Sequence, residues 1–222
     1  MSGESILSSS KDQHKQLRAK ELVSGSLFLT SGNLLQAAFA FAVNLVLVRY
    51  IAPNQFGWFA LILAETSLVY AIISIRANTL IIRAPETAFD DDAKDLYFSV
   101  AIYETLIASV IALGVLGVIG NFGIWEVLIA VSIAGRHWTE INKAFFERSM
   151  PYKPLAIIET ASSMIGHVSA LVLVLMGAGV AALVVREVVI TVTGLIGLKL
   201  VGGLTTRKFR VISMVDARHL LR

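Results

Sequence analysis

LAIIETASSMIGHVSALVLVLMGAGVAALVVREVVITVTGLIGLKLV, residues 155–201, is the stretch of sequence that decides the fold. It contains two apolar runs, 155–176 and 180–201, joined through Gly177 and Gly179. At about 1.5 Å per helical residue, each run is long enough to cross the roughly 30 Å of hydrocarbon in a bilayer. Because paired glycines favour tight turns, the stretch predicts two membrane-spanning helices joined by a short outer hairpin.

Three further runs towards the amino terminus have the same character. They cover residues 22–48, 57–75 and 96–119, and each is bounded by charge or by turn-forming residues. Pro53 and Gly57 separate the first two of these runs. The sequence therefore predicts five clear membrane spans.

A sixth span is predicted at residues 124–148, although its apolar sequence is interrupted at Arg136. Arg136, Glu140, Lys143 and Glu147 recur at helical spacing, so they share one face of a helix and leave the opposite face apolar. We interpret the segment as a span with a charged face turned away from lipid.

The distribution of basic residues supports six crossings. If each run spans the bilayer, all but Arg49 and Arg186 of the 19 Lys and Arg residues fall towards one side, which is the cytoplasmic side by the positive-inside rule. The predicted fold is an all-α integral membrane protein, with a six-helix transmembrane bundle at 22–201. A tail at 1–21 and a connector at 202–222 are both predicted to be cytoplasmic.

Composition agrees with a membrane protein and excludes several other classes. The mean hydropathy is +0.74, and 56% of the residues are apolar against 16% charged. The chain has no Cys, which excludes disulfides and thiolate metal sites. Its basic residues are spread over separate loops, which argues against nucleic acid as a partner. The loops are too short for a catalytic domain, so we expect neither enzyme activity, nor a cofactor, nor a metal site.

The first span has one polar face. Its residues are Ser26, Thr30, Asn33, Gln36 and Asn44. Two interpretations stay open: ordinary packing between transmembrane helices, or the lining of a water-filled cavity, which the side-chain amides favour because they need several hydrogen-bond partners.

Four ionisable residues are predicted to lie deep in their spans: Glu65, Glu104, Arg186 and Glu187. Charged groups at that depth are costly and need partners or water. Glu65 and Arg186 lie at similar predicted depth, so an ion pair between them is feasible, either as a structural bridge or as part of a binding site. Glu104 is a candidate proton carrier. His167 shares a face with Glu159 and is interpreted as a packing residue more readily than as a ligand.

Four segments together resemble the amino-terminal half of a known family. They are RYIAPNQFGWFAL (49–61), SIRANTLIIR (74–83), ERSMPYKPLAIIE (147–159) and LMGAGVAALV (175–184). They look like a Wzx-type polysaccharide flippase of the multidrug/oligosaccharidyl-lipid/polysaccharide (MOP) exporter superfamily. The resemblance covers nearly the whole chain but implies only one lobe of a two-lobed, MATE-like transporter.

The resemblance implies a function at the bacterial cytoplasmic (inner) membrane. Flippases of this type move an undecaprenyl-diphosphate-linked oligosaccharide between leaflets for lipopolysaccharide or exopolysaccharide biosynthesis. On this hypothesis Arg49, Arg83 and Arg148 are candidates for attracting the phosphates at the cavity mouths. Membrane lipids surround the bundle, and a second lobe or a parallel homodimer would complete it.

Two alternatives remain open from the sequence. A multidrug or cation antiporter of the same superfamily would share the plan, with Glu65 and Glu104 as cation or proton sites. A non-transporting truncated fragment or an assembly subunit is the other, since the chain has half the expected spans.

Overall fold

A computed structural model describes residues 30–85, 89–120, 122–148, 152–205 and 207–211. Within these ranges every regular element is a helix, so the predicted all-α class is confirmed. The helices are α1 (Thr30–Tyr50), α2 (Pro53–Ile73), α3 (Ala77–Arg83), α4 (Asp91–Ile119), α5 (Ile124–Glu147), α6 (Tyr152–Leu175) and α7 (Ala181–Leu200).

Five of these helices are long and apolar enough to cross a membrane: α1, α2, α4, α6 and α7. They correspond to the five clear spans of the sequence, and they make the chain a multi-pass membrane protein. Helix α5 matches the predicted sixth span in position but is not among the five. Its crossing, and the cytoplasmic placement of both termini, stay predictions. The predicted tail at 1–21 lies outside the described residues.

The described chain contains one helix more than the six predicted, and this is a correction. Helix α3 follows α2 after a short break, and its Ala77 and Ile81 are fully buried against α4 and α5. Seven residues are too few to produce a clear helical pattern in the sequence. Burial of Ala77 and Ile81 against the neighbouring helices, rather than the length of an apolar run, stabilises this short helix.

Helix α4 begins earlier than its apolar run because an acidic cap starts it. The Asp90 side chain accepts a hydrogen bond from the Ala93 backbone N–H at 2.8 Å. Asp91 and Asp92 occupy the first turn, where carboxylates favour the positive end of the helix dipole. The predicted start at residue 96 was therefore five residues late.

Helix α5 lies at the centre of the bundle and packs against α2, α3, α4, α6 and α7. Ile129 and Ile133 enter the main apolar core, which includes Leu47 of α1 and Leu183 of α7. Ile141 enters a smaller cluster with α3 and α4. Two charged residues of α5 contact neighbouring helices: Arg136 contacts Glu187 of α7, and Lys143 contacts Glu159 of α6.

The hairpin between α6 and α7 is as tight as the sequence predicts. Gly177 and Gly179 have φ values of 85° and 57°, a left-handed conformation that suits glycine. Beyond the hairpin, α6 and α7 lie so close that a Cβ on Gly166 would be 2.3 Å from Ile190 and 3.2 Å from the Arg186 carbonyl oxygen. Small residues at such contacts allow transmembrane helices to approach each other.

The chain after α7 runs back across α4 and α5. The backbone N–H of Thr205 donates to Asn142 Oδ1 at 2.8 Å, and that of Arg210 donates to Ser99 Oγ at 2.8 Å. The Phe209 ring packs against Tyr103. The described part of the predicted connector is therefore fixed to the bundle by hydrogen bonds from its backbone.

We predict that Gly166→Ala lowers the free energy of unfolding by about 1–3 kcal/mol, because the added methyl group overpacks the α6–α7 contact. Thermal unfolding of the detergent-solubilised protein measures this. Gly114→Ala is the matched control, since nothing lies within 4 Å of its Cβ position and alanine favours a helix over glycine. If the two variants are equally stable, the close contact of Gly166 with α7 is contradicted.

Candidate functional site

A cavity of about 480 Å³ lies between α1, α5, α6 and α7. Most of its lining residues are polar or charged, although three of the five apolar spans, α1, α6 and α7, contribute to the lining. The polar and charged lining residues are Asn33, Gln36 and Asn44 of α1, Arg136, Thr139, Glu140 and Lys143 of α5, Glu159, Ser162, Ser163 and His167 of α6, and Arg186, Glu187 and Thr191 of α7.

The polar face of the first span supplies one wall of this cavity. Asn33, Gln36 and Asn44 line it, whereas Thr30 has an exposed side chain outside the lining. Ser26 lies outside the described residues. The structure places these three amides in the cavity wall, and a water-filled cavity stays a prediction.

One carboxylate holds two guanidinium groups at one end of the cavity. Glu187, with a side chain 5% exposed, contacts Arg136 of α5 through Oε2. Arg186 donates from Nε and Nη2 to Glu187 Oε1 at 3.1 and 3.0 Å. Arg186 Nη1 also donates to Asn44 Oδ1 at 3.1 Å. This triad joins α1, α5 and α7 and carries a formal charge of about +1, because two cations share one anion.

The ion pair between Glu65 and Arg186 that the sequence left feasible is not formed in the described structure, and this is a correction. The Arg186 guanidinium is already satisfied by its neighbour Glu187 and by Asn44, and it lies over the Phe59 ring at 5.7 Å. Glu65 does not line the cavity, and its Oε2 is buried with no hydrogen-bond partner among the described residues. Similar depth in two helices did not establish that the two side chains face each other.

A second triad of opposite sign occupies another part of the cavity. Lys143 Nζ lies 2.7 Å from Glu140 Oε1 and also contacts Glu159 of α6. Two carboxylates and one ammonium give this triad a formal charge of about −1. Lys143 follows Arg136 by seven residues, or about 10 Å along α5. The cavity is therefore polarised along the helix axis.

His167 is held by its own helix. Its Nδ1 lies 2.8 Å from the Ser163 carbonyl oxygen, so Nδ1 carries the hydrogen, because a carbonyl only accepts. The ring meets Phe39 of α1 edge to face. Across the described residues no cluster of three or more His, Asp or Glu residues is arranged to hold a metal ion.

The three arginines predicted to attract phosphate do not line the cavity. Arg49 and Arg83 have exposed side chains near the ends of α1 and α3. Arg148 donates from Nη1 to the Ile81 carbonyl oxygen at 2.8 Å and lies over the Phe89 ring at 3.9 Å. That guanidinium therefore caps the end of α3.

Two cavity cations, Arg136 and Lys143, were absent from the predicted site and were noted in the sequence mainly as part of a charged face. Their i, i+7 spacing was the signal, and it showed that they lie on one side of α5. Which helices met that side could not be read from the spacing. Glu104, in contrast, lies outside the cavity lining and beside His137.

A family model described as polysaccharide biosynthesis protein matches residues 46–221. The chain belongs to the polysaccharide biosynthesis protein family. The match contains every cavity residue from α5, α6 and α7, whereas Asn33, Gln36 and Asn44 precede it. Comparison with curated proteins and with solved structures finds no match. Family membership confirms the resemblance at the level of polysaccharide biosynthesis.

We predict that Glu187→Gln destabilises the protein by about 2 kcal/mol. Removing the anion from a buried charge cluster typically costs about 3–5 kcal/mol, and the 46% exposure of the Arg136 side chain reduces that cost through solvent screening. Thermal unfolding checks the value. The double variant Arg136→Gln/Glu187→Gln should recover part of the loss.

Glu140→Gln provides the matched control for that substitution. The Glu140 side chain is 48% exposed, so its neutralisation should cost no more than about 1 kcal/mol. If both single variants lose the same stability, Glu187 does not organise the cavity in the way described.

Proposed function

We propose that this chain takes part in moving an oligosaccharide linked to undecaprenyl diphosphate across the bacterial cytoplasmic membrane, as one lobe of a Wzx-type flippase. The observation that carries the proposal is the polarised cavity within a bundle of apolar spans, in a member of a polysaccharide biosynthesis family. The role is transport rather than catalysis.

Such a substrate needs a polar path through the hydrocarbon of the membrane. Sugar hydroxyls and a diphosphate lose hydration at a cost of several kcal/mol per group when they enter hydrocarbon. Amides, hydroxyls and charged groups of the lining replace that water with hydrogen bonds. Asn33 and Gln36, which lie on the α1 wall, have two kinds of hydrogen-bonding group each and suit sugar hydroxyls, which both donate and accept.

The two charged ends suit different parts of the substrate. The triad of Arg136, Arg186 and Glu187 carries the excess positive charge, and Arg136 is its most exposed member. Guanidinium groups bind phosphate oxygens through paired hydrogen bonds, so we assign the diphosphate to this end. The end at Glu140 and Glu159 is left for the sugar, whose hydroxyls donate to carboxylates.

An apolar groove adjoins the positive end. It has a volume of about 350 Å³ and is lined by Phe56, Phe59 and Leu63 of α2, together with Asn44 and Arg186, which also line the cavity. A lipid chain attached to a phosphate at Arg186 has an apolar path away from the cavity there. The groove thus supports a substrate that is polar at one end and hydrocarbon at the other.

The remaining parts of the proposal concern assembly and the membrane edges. Six spans with both termini in the cytoplasm would let a second lobe, or a second copy in a parallel homodimer, enter with the same orientation and close the cavity. Arg49 and Arg83, whose side chains are exposed, are proposed to attract phosphate at the two edges. Arg148 is proposed to attract phosphate only with the guanidinium N–H groups that do not donate to the Ile81 carbonyl oxygen.

A cation antiporter of the same superfamily is the second candidate function. It is favoured by carboxylate oxygens of Glu65 and Glu104 that are buried without a hydrogen-bond partner among the described residues. Such groups suit a proton or a small cation better than an oligosaccharide. Proteoliposome assays with a fluorescent lipid-linked oligosaccharide and with a cationic dye separate the two functions.

We predict that Arg136→Gln and Arg186→Gln each lower translocation of the lipid-linked oligosaccharide at least about tenfold, equivalent to about 1.4 kcal/mol, while membrane insertion persists. The assay measures substrate accessible in the outer leaflet of proteoliposomes that contain the functional assembly. Glu126→Gln is the control, because Glu126 lies in the first turn of α5 away from the cavity.

Several outcomes of this assay decide between the functions. Unchanged oligosaccharide transport in both arginine variants would reject the phosphate assignment. Transport of the dye alone would favour the antiporter. If neither substrate moves, even with a second lobe supplied, the chain acts as a non-transporting fragment or an assembly subunit.

A further inference from the structure

A second buried polar site lies on the side of α5 away from the cavity. Glu104, near the middle of α4, has a side chain that is 1% exposed, and its Oε1 lies 3.3 Å from His137 Nε2 of α5. Neither residue lines the cavity. His137 follows Arg136 by one residue, so the two side chains project about 100° apart on α5. Helix α5 thus carries both Arg136, which lines the cavity, and His137, which contacts Glu104.

The polar atoms of this pair are unsatisfied. Both carboxylate oxygens of Glu104 and Nε2 of His137 are buried and form no hydrogen bond of normal geometry within the described chain. Buried polar atoms are almost always paired in folded proteins, so an exception requires an explanation. A proton held between a carboxylate and an imidazole at this distance would give each group a partner.

The pair touches a break in the backbone. Residues 74–76 separate α2 from α3, and Arg76 has a φ of 56°, a left-handed conformation that is uncommon for a residue with a side chain. The Arg76 backbone N–H donates to Ser74 Oγ at 3.0 Å. The Ser74 side chain and the Ile75 backbone N–H lie near the Glu104 carboxylate, and the Ser74 hydroxyl hydrogen is not used in the bond from Arg76.

The other titratable and charged groups around Glu104 come from three elements. From α2, the Tyr70 ring packs on His137 with centroids 5.4 Å apart, and its hydroxyl pairs with Ser109 at 2.6 Å. Glu65 lies on the same helix. From α3 and its start, Arg76 and Arg83 have exposed side chains. From α5, Arg136 is engaged with Glu187. His137 is therefore the ionisable group in contact with Glu104.

We propose that Glu104 and His137 form a proton-binding site that controls the α2–α3 break. With one proton between them, an ionised carboxylate lies beside an imidazolium and attracts the Ser74 hydroxyl next to the left-handed turn. A second proton converts the pair to a carboxylic acid beside an imidazolium. The neutral acid is a weaker acceptor, so the turn loosens and α3 gains motion. The site does not depend on the transported substrate.

Infrared difference spectroscopy of the full chain in lipid vesicles tests the proton site directly. Acidification from about pH 9 to about pH 2 passes below the usual range of Glu and His and should produce the stretching bands of protonated carboxyl groups, one of them from Glu104. Glu104→Gln should remove that component, and the control Glu126→Gln should retain it. A band that is unchanged in Glu104→Gln overturns the proposal.

His137→Gln provides a second, independent test. A purely structural role of His137 would leave the pH midpoint of the carboxyl band unchanged. Without the cationic neighbour, the carboxyl group should take up its proton at higher pH, so the midpoint of the band shifts upward. This variant decides the question even if Glu104→Gln does not fold. An unchanged midpoint in His137→Gln overturns the proposal.

Spin labels test the link to α3. The chain has no Cys, so Ile82→Cys on α3 and Val110→Cys on α4, both exposed positions, provide single label sites. Acid should increase label mobility at position 82 and leave position 110 unchanged, and Glu104→Gln should abolish the pH dependence at 82. Equal responses at both positions, or none at position 82, would overturn control of the break.

Discussion

The bundle depends on the contact of one carboxylate, Glu187, with two guanidinium groups. Ionised groups are expensive at membrane depth unless they are paired or hydrated. Glu187 pairs with Arg186 of its own helix and with Arg136 of α5, and Arg186 reaches Asn44 of α1. Three helices are thereby held around the same charges. The excess of one cation and the space left beside it produce the positive end of the cavity.

Helix α5 connects this charge cluster to the rest of the molecule. Its Arg136 and Lys143 face the cavity, whereas its His137 faces Glu104 of α4. Its apolar residues fill the core between these two sides. A helix that is too polar for lipid by composition is stable here because protein and cavity surround it. Movement of α5 would change the cavity and the Glu104 site together.

The sequence predicted the elements well and their mutual contacts poorly. The five long apolar runs and the Gly177–Gly179 hairpin follow from local composition, so they could be located without a structure. Helix α3 could not, because two buried contacts stabilise it rather than its own pattern. The pairing of Glu65 with Arg186 failed because depth along a helix carries no information about which way the side chain points.

For the candidate site, too, the patterns within single helices could be predicted and the contacts between helices could not. The amides of α1 and the charged face of α5 were visible as periodic patterns, since both depend on spacing within one helix. Their meeting in one cavity depends on how four helices pack, which the sequence did not show. Arg148 illustrates the reverse case: its charge suggested phosphate, but its guanidinium is bonded to the end of α3.

The polar cavity requires water at membrane depth along one face of α6. Cysteine accessibility in membrane vesicles measures this, with Ser163→Cys, which lines the cavity, and Val168→Cys, on an exposed part of the same helix outside the lining. A membrane-impermeant charged maleimide should react with Cys at position 163 and not at position 168, which faces acyl chains. Reaction at 168 with protection at 163 would contradict the account.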